Sequence, residues 1–324
     1  MRYSFVIPVY NERDTLPELH TRLSAVADGL DGDSEFVFVD DASSDGSREL
    51  LIDLHERDPR CKVVRFARNF GHQVAISAGL DLALGDAAIV LDADLQDPPE
   101  LVPELVARWR EGYEVVYAVR ERREGDGWLK RHLAAGFYRL LRRLSNVDIP
   151  VDVGDFRLVD RRALDTFRSM RERNRYVRGM FSWIGFRQIG VPYRREQRYA
   201  GEPKYSFRKS LRLAVDGIVS FSDLPLRTAL VVGFLFSVAS FVVGIGAIVA
   251  KLAGAFVVPG WASLLVVVSF LGGIQLTVIG MTGLYIGRIY EEVKARPLYV
   301  IREAHGFGDL PMAIGGEQPV AVRH

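Results

Sequence analysis

Residues 228–250, TALVVGFLFSVASFVVGIGAIVA, carry no charge, and residues 261–286 form a second uncharged run. A helix needs about 20 apolar residues to cross the hydrocarbon of a bilayer, so both runs read as membrane spans. The connector between them holds one charge, Lys251, and the turn residues Pro259 and Gly260. Small residues such as Gly233, Ser237, Gly244, Gly272, Gly273 and Gly280 would let helices approach closely in lipid. Arg208, Lys209, Arg212 and Arg227 precede the pair, and Arg288, Lys294 and Arg296 follow it. The excess of cations at the outer ends places both termini in the cytoplasm. The competing reading, two buried helices of a soluble core, is disfavoured because uncharged runs of this length are rare in soluble domains. The expected organisation is a cytosolic catalytic domain over 1–205, a juxtamembrane amphipathic region over 206–227, a two-helix transmembrane hairpin over 228–287 and a cytosolic tail over 288–324. From His305 onward the tail is glycine-rich, and that part is expected to be poorly ordered.

The bulk properties narrow the function classes. A net charge of +1 over 324 residues gives no reason to expect a nucleic-acid partner. The single cysteine, Cys61, excludes an intrachain disulfide framework and reads as a small residue opening a buried strand. The apolar start, residues 1–8, is too short for a signal peptide.

Upstream of the uncharged runs, strand and helix patterns alternate. Short apolar strands are expected at 4–9, 35–39, 62–66, 87–91 and 115–119, with helices at 14–27, after 45, at 74–84 and from Pro98. Such alternation predicts a mostly parallel sheet with helices on both faces. Ligands then bind beyond the carboxyl ends of the strands, where this chain places Tyr10-Asn11-Glu12, Asp40-Asp41 and Asp92-Ala93-Asp94. No G-x-G-x-x-G follows the first strand and no P-loop is present, which disfavours dinucleotide binding and P-loop chemistry.

Asp92 and Asp94 repel one another unless a cation lies between them. Mg²⁺ or Mn²⁺ suits such hard oxygens and would also hold substrate phosphates, with Gln96 as a neutral oxygen ligand. Asp97 reads as the cap of the helix at Pro98. Asp40, Asp41 and Glu12 would accept hydrogen bonds from base N–H and ribose hydroxyl groups; turn and cap roles are the alternative.

FVIPVYNE (5–12), VDDASSDGS (39–47), RNFGHQVAISAGLDLALGD (68–86), VLDADLQDPPE (90–100), DVGDFRLVDRRAL (152–164) and RYAGEPKYSFRKSLRLAVDGIVSFS (198–222) resemble glycosyltransferase family 2. Within it the chain is most similar to the dolichol-phosphate mannosyltransferase and undecaprenyl-phosphate glucosyltransferase branch, over about nine tenths of its length. The resemblance implies a GT-A fold (a Rossmann-like α/β domain), a divalent metal, a UDP- or GDP-sugar donor carrying glucose or mannose, a polyprenyl phosphate acceptor and inversion at the anomeric carbon. By position, Pro8, Tyr10, Asn11, Glu12 and Asp40 would bind the nucleotide; Asp92, Asp94 and Gln96 would form the metal site. Asp155, Arg157, Arg198 and Lys204 would face the acceptor or the diphosphate. Asp155 matches the position assigned as base in the family, but a phosphate acceptor is largely dianionic at neutral pH and needs little deprotonation. Base and positioning residue therefore both stay open, with Asp152 second to Asp155. The Q-x-x-R-W motif of polymer-extruding relatives is missing, which argues against a polymer synthase.

The remaining expectations concern the membrane. Segments 128–144 and 206–221 have the pattern of surface-lying amphipathic helices, Gly201 suggests a closing loop, and Arg198 and Lys204 would stabilise the leaving diphosphate or else attract anionic headgroups. His72 reads as loop structure or acceptor contact more readily than as a catalyst. Membrane lipids are expected partners, the plasma (inner) membrane the location, and a homo-oligomer, up to a tetramer, the assembly. The competing functions are transfer to another membrane lipid, such as diacylglycerol, and a non-catalytic membrane scaffold.

Overall fold

The computed structural model describes residues 1–121, 153–194, 224–253 and 260–308. Arg198, Lys204, Gly201, Asp152 and the two amphipathic segments lie outside the described residues.

The first half alternates as the sequence predicts: β1 (Arg2–Val9), α1 (Leu16–Asp28), β2 (Asp33–Asp40), α2 (Ser47–Arg57), β3 (Cys61–Phe66), α3 (His72–Leu82) and β4 (Ala87–Val90). A short 3-10 turn at Pro99–Leu101 leads into α4 (Val102–Arg110), followed by β5 (Val115–Arg120). Next come β6 (Val153–Asp160), α5 (Arg161–Ser169), α6 (Val177–Ile184) and β7 (Gln188–Tyr193). Two long helices, α7 (Leu224–Leu252) and α8 (Trp261–Val293), precede a last strand, β8 (Ile301–His305).

The eight strands of the described residues form one sheet in the order β7-β5-β6-β4-β1-β2-β3-β8. From β4 to β3 it is parallel, but β6 runs antiparallel to β4 and β5, and β8 runs antiparallel to β3. The sheet is thus mixed, and the strands at 153–160, 188–193 and 301–305 were not among those expected. Successive side chains of β1 go to opposite faces, as strand geometry requires. Phe5 and Ile7 pack with Leu16, Leu19, Leu51 and Leu105 from α1, α2 and α4. Val6 packs with Ile76, Leu80, Leu164 and Phe181 from α3, α5 and α6.

Chain order explains where a ligand must go. The chain steps outward from β1 to β2 to β3, then crosses back to place β4 on the other side of β1. Loops therefore diverge between β1 and β4, the switch point where an open parallel sheet offers a crevice. Pro8, which has no N–H to donate, stands beyond the last residue of β1 that pairs with β4, Val6 opposite Val90.

The segment 295–305, ahead of the glycine-rich stretch, returns to the sheet. Leu298, Tyr299 and Ile301 are buried against Val37, Val39 and Val64, and the Tyr299 ring stacks on Phe66 at 5.2 Å. The Tyr299 hydroxyl donates to Asp81 at 3.0 Å. This stretch belongs to the same compact unit as the N-terminal domain, whereas 211–294 forms a second unit. In that second unit α7 and α8 expose Leu230, Phe234, Phe241, Leu276 and Ile279. Phe270–Val293 is long and apolar enough to cross a membrane; the described apolar stretch of α7, Thr228–Val243, is shorter.

Candidate active site

The loops after β1, β2 and β4 each hold a non-glycine residue in the left-handed region: Asn11 at φ 54°, Ala42 at 60° and Leu95 at 58°. Such conformations cost roughly 1–3 kcal/mol each and concentrate at functional sites. The first two loops brace each other. Asn11 N–H donates to Ser43 Oγ at 3.0 Å and Ser44 N–H to Asn11 Oδ1 at 2.8 Å. Glu12 N–H donates to Ser47 Oγ at 3.0 Å, and Asp45 accepts from Arg13 and Ser47 N–H groups. Tyr10 stays 43% exposed above this frame.

Asp40 is buried and its Oδ1 accepts from Ser43 N–H at 2.9 Å. Asp41 takes the turn-and-cap role that was its alternative. Both its oxygens are taken by Phe70 and Gly71 N–H groups, at 2.6 and 2.9 Å, which ties the end of β2 to the start of α3. Burial raises its pKa against those two bonds.

His72, at the start of α3, lies between two carboxylates that the sequence keeps far apart. Its Nε2 is 3.1 Å from Asp155 Oδ2 and 3.5 Å from Asp92 Oδ1. Burial opposes protonation of the ring, but Asp92 and then Asp155 outweigh it and push the pKa up to about 9. Burial, followed by the carboxylates Asp97, Asp155 and Asp94, pushes Asp92 up to about 6, with His72 acting in the opposite direction.

Asp155, on β6, is buried and its charge partner is Arg178 of α6. Arg178 donates from Nε to Oδ1 at 2.9 Å and from Nη2 to Oδ2 at 3.1 Å. Gln73 lies 3.5 Å from the same carboxylate and accepts from Val177 N–H at 2.9 Å, which fixes α6 against α3. Burial would raise Asp155, yet Arg178 and His72 together hold it well below the usual carboxylate range. Arg157 is turned inward: it donates to Gly154 and Asp155 carbonyls at 2.9 and 3.3 Å, and its guanidinium lies 5.1 Å from the Phe181 ring centre. Desolvation lowers it to about 10.

Sequence reading did not single out Arg178 or Gln73, and it gave His72 as loop structure or acceptor contact. Histidine and glutamine just after Gly71 at a helix start were the available signal; nothing local to 174–183 marked Arg178.

The metal site can be tested on its oxygens. Asp92 Oδ1 is buried and accepts no hydrogen bond, so it has a lone pair to offer. Asp94 and Gln96 are buried beside it in sequence, with Asp94 Oδ1 accepting from Gln96 N–H at 3.2 Å. Two carboxylates and an amide are a donor set that suits a Mg²⁺-like ion, and these residues would hold it. Asp97 departs from its expected capping role: its Oδ1 accepts from the buried Tyr193 hydroxyl. Among the described residues, the group whose ligand atoms all lie within 4.8 Å is instead His20, Asp58 and Cys61. It does not suit a metal. Arg60 already binds both oxygens of Asp58, at 3.0 and 2.9 Å, and burial pushes the Cys61 thiol up to about 12.

A parallel core with acidic loops at the switch point, widened by antiparallel β6, has the layout of a GT-A-type α/β glycosyltransferase domain. Residues 4–168 match the model of glycosyl transferase family 2. The chain is 47% identical to the uncharacterized glycosyltransferase YkcC of Bacillus subtilis, across 94% of this chain and 95% of that protein. It is 41% identical to the SfII prophage-derived bactoprenol glucosyl transferase of Shigella flexneri, across 94% and 99%. Among solved structures it is similar to the glucosyl-3-phosphoglycerate synthase of Mycobacterium tuberculosis in complex with Mn²⁺, UDP and phosphoglyceric acid. That likeness has 19% identity and a TM-score of 0.45, over 67% of this chain and 76% of that one. The chain belongs to glycosyl transferase family 2 and is a glycosyltransferase. The match to the bactoprenol enzyme bears out the resemblance to the polyprenyl-phosphate branch.

Proposed function

We propose that the protein transfers glucose from a nucleotide-sugar, UDP-glucose in preference to a GDP-sugar, to a polyprenyl phosphate at the cytoplasmic face of the membrane. The full-length likeness to a bactoprenol glucosyl transferase carries this reading. The acceptor phosphate oxygen attacks C1 of the sugar, the bond from C1 to the diphosphate breaks, and the nucleoside diphosphate leaves with its electron pair. Attack opposite the leaving group inverts the anomeric centre.

The residues divide the work by position. Tyr10, Asn11, Glu12 and Asp40 frame the nucleotide, with the exposed Tyr10 ring available to stack on the base. Asp92, Asp94 and Gln96 hold Mg²⁺ or Mn²⁺, which when bound supplies Lewis-acid neutralisation of the diphosphate. His72 carries positive charge between Asp92 and Asp155, and Arg178 locks Asp155 in place. A general base works best with a pKa near the working pH. A carboxylate held well below its usual range suits positioning, and the dianionic acceptor needs no strong base. Arg198 and Lys204 are assigned to the diphosphate or acceptor phosphate.

The pairing of β8 with β3 supports the two-crossing arrangement. The chain leaves the catalytic unit for α7 and α8 and returns to the same sheet. Two crossings fit that return, and both ends of the catalytic unit then share the cytoplasmic side that the flanking cations favour.

The test is transfer of labelled sugar from a panel of UDP- and GDP-sugars to undecaprenyl phosphate by detergent-purified protein. Labelled lipid should form from UDP-glucose with Mg²⁺ or Mn²⁺ and fall to background with chelator. Nucleotide binding without transfer to this lipid would move the acceptor to another membrane lipid.

A further inference from the structure

Asp40, Arg65 and Glu303 stand side by side on three neighbouring strands. Asp40 pairs in register with Arg65, and Arg65 with Glu303. Residues directly opposite on adjacent strands share a face and interact. Arg65 Nε lies 3.3 Å from Asp40 Oδ2, and Arg65 Nη1 donates to Glu303 Oε1 at 3.4 Å. The other oxygen of Glu303 accepts from Arg48 Nε at 2.9 Å and Nη2 at 2.7 Å. Charge thus alternates along a row that starts in the β2 loop of the donor site and ends on the last strand.

The geometry of the inner pair is unusual. Arg65 and Asp40 are close enough for an ion pair, yet Arg65 Nε and Asp40 Oδ2 are both buried and make no hydrogen bond. A guanidinium so close to a lone carboxylate would normally settle into a two-pronged hydrogen bond. Here Glu303 competes for it from the other side, and Arg48 anchors Glu303. Asp40 Oδ2 is therefore left with acceptor capacity, while Oδ1 holds the 41–44 turn through Ser43.

We propose that Glu303 is a positioning residue of the donor site: it holds Arg65 short of a hydrogen bond with Asp40, so that Asp40 and its turn keep the geometry that receives the nucleotide. This rests on the assignment of Asp40 to the donor site. The strand that follows the apolar helices is then a working part of nucleotide binding as well as the cover of a sheet edge.

The experiment uses the full-length protein in detergent, with UDP affinity measured by calorimetry in Mn²⁺ and donor and acceptor KM measured in the transfer assay. Glu303→Gln should weaken UDP binding and raise donor KM by about five- to tenfold, in the range of couplings between contacting residues, and leave acceptor KM unchanged. Glu303→Asp should recover part of the loss. In an Asp40→Asn background, Glu303→Gln should add nothing, a result that a purely structural strand would not give. Should Glu303→Gln fail to fold, Arg48→Gln should shift donor affinity in the same direction. A folded Glu303→Gln protein with wild-type UDP affinity, or an equal loss in the Asp40→Asn background, overturns the inference alone. Wild-type protein that binds neither UDP nor GDP overturns the donor-site assignment and the inference with it.

Discussion

Asp155 shows how far a residue's chemistry depends on neighbours distant in sequence. Its carboxylate belongs to β6, its charge partner Arg178 to α6 and its imidazole partner His72 to α3. The local sequence identified the aspartate and placed Arg157 two residues on, both expected to face the acceptor or the diphosphate. The fold turns Arg157 toward backbone carbonyls and brings Arg178 in instead. An opposite charge in contact lowers a carboxylate pKa by roughly 1–3 units, and Asp155 lies well below its ordinary value because of Arg178 and then His72. Arg178→Gln should therefore raise the Asp155 pKa. The acid limb of kcat/KM should move to higher pH by roughly one unit or more, with kcat reduced. Arg178→Lys, which keeps the charge and loses the two-pronged fork, should shift it less. An unmoved acid limb in a folded Arg178→Gln protein would separate Arg178 from the chemistry.

At the scale of elements, α3 links the motif to the packing. Gly79 lies where α3 crosses β1 and β2. A Cβ there would meet Val6 Cγ1 at 2.3 Å and Val39 Cγ2 at 3.3 Å. The glycine in SAGLDLALGD is thus a close-approach residue, and the start of α3 carries His72 into the site. Gly79→Ala should destabilise the domain by about 1–3 kcal/mol, the usual cost of overpacking. Chemical denaturation of the purified protein reads this, and an unchanged midpoint would mean that α3 can shift freely. Glu35 gives the same element a charged seat. It accepts from Lys62 at 2.7 Å and from Leu84 N–H at 2.6 Å, and burial is outweighed by Lys62, Ser4 and Leu84, so its pKa is lowered. Its folded pKa lies below the unfolded one, so its stabilisation is full above the unfolded value and is lost as pH falls through the folded value. Glu35→Gln should reduce stability at pH 7 and flatten the acid side of the stability profile; equal losses at pH 7 and pH 3 would remove that assignment.

Across the whole molecule, the return of 295–305 to the sheet edge constrains topology more than hydropathy does. A strand hydrogen-bonded to β3 cannot lie across a bilayer from it. With Lys251→Cys, an impermeant maleimide applied to intact cells should label the connector, whereas Arg302→Cys should label only after the membrane is opened. Labelling of Arg302→Cys from outside would place β8 and the catalytic sheet on the external face and reverse the orientation. The native thiol Cys61 is buried and adds little background.

The sequence alone determined the period-two and helical patterns from β1 through β5, the acidic loops that end the strands, and the uncharged runs, because each is a local property of spacing and composition. It also placed Asp92, Asp94 and Asp155 in recognisable motifs. Only the tertiary structure decided that β6 runs antiparallel between β4 and β5, since strand order depends on partners that no local pattern specifies. The same holds for Asp41, bonded to the two backbone N–H groups just before α3, for Asp97 bound to Tyr193, and for Glu303, whose meaning appears only when β8 lies beside β3. Their roles come from which charges and donors the fold brings within hydrogen-bonding distance, and that is set by packing across many tens of residues.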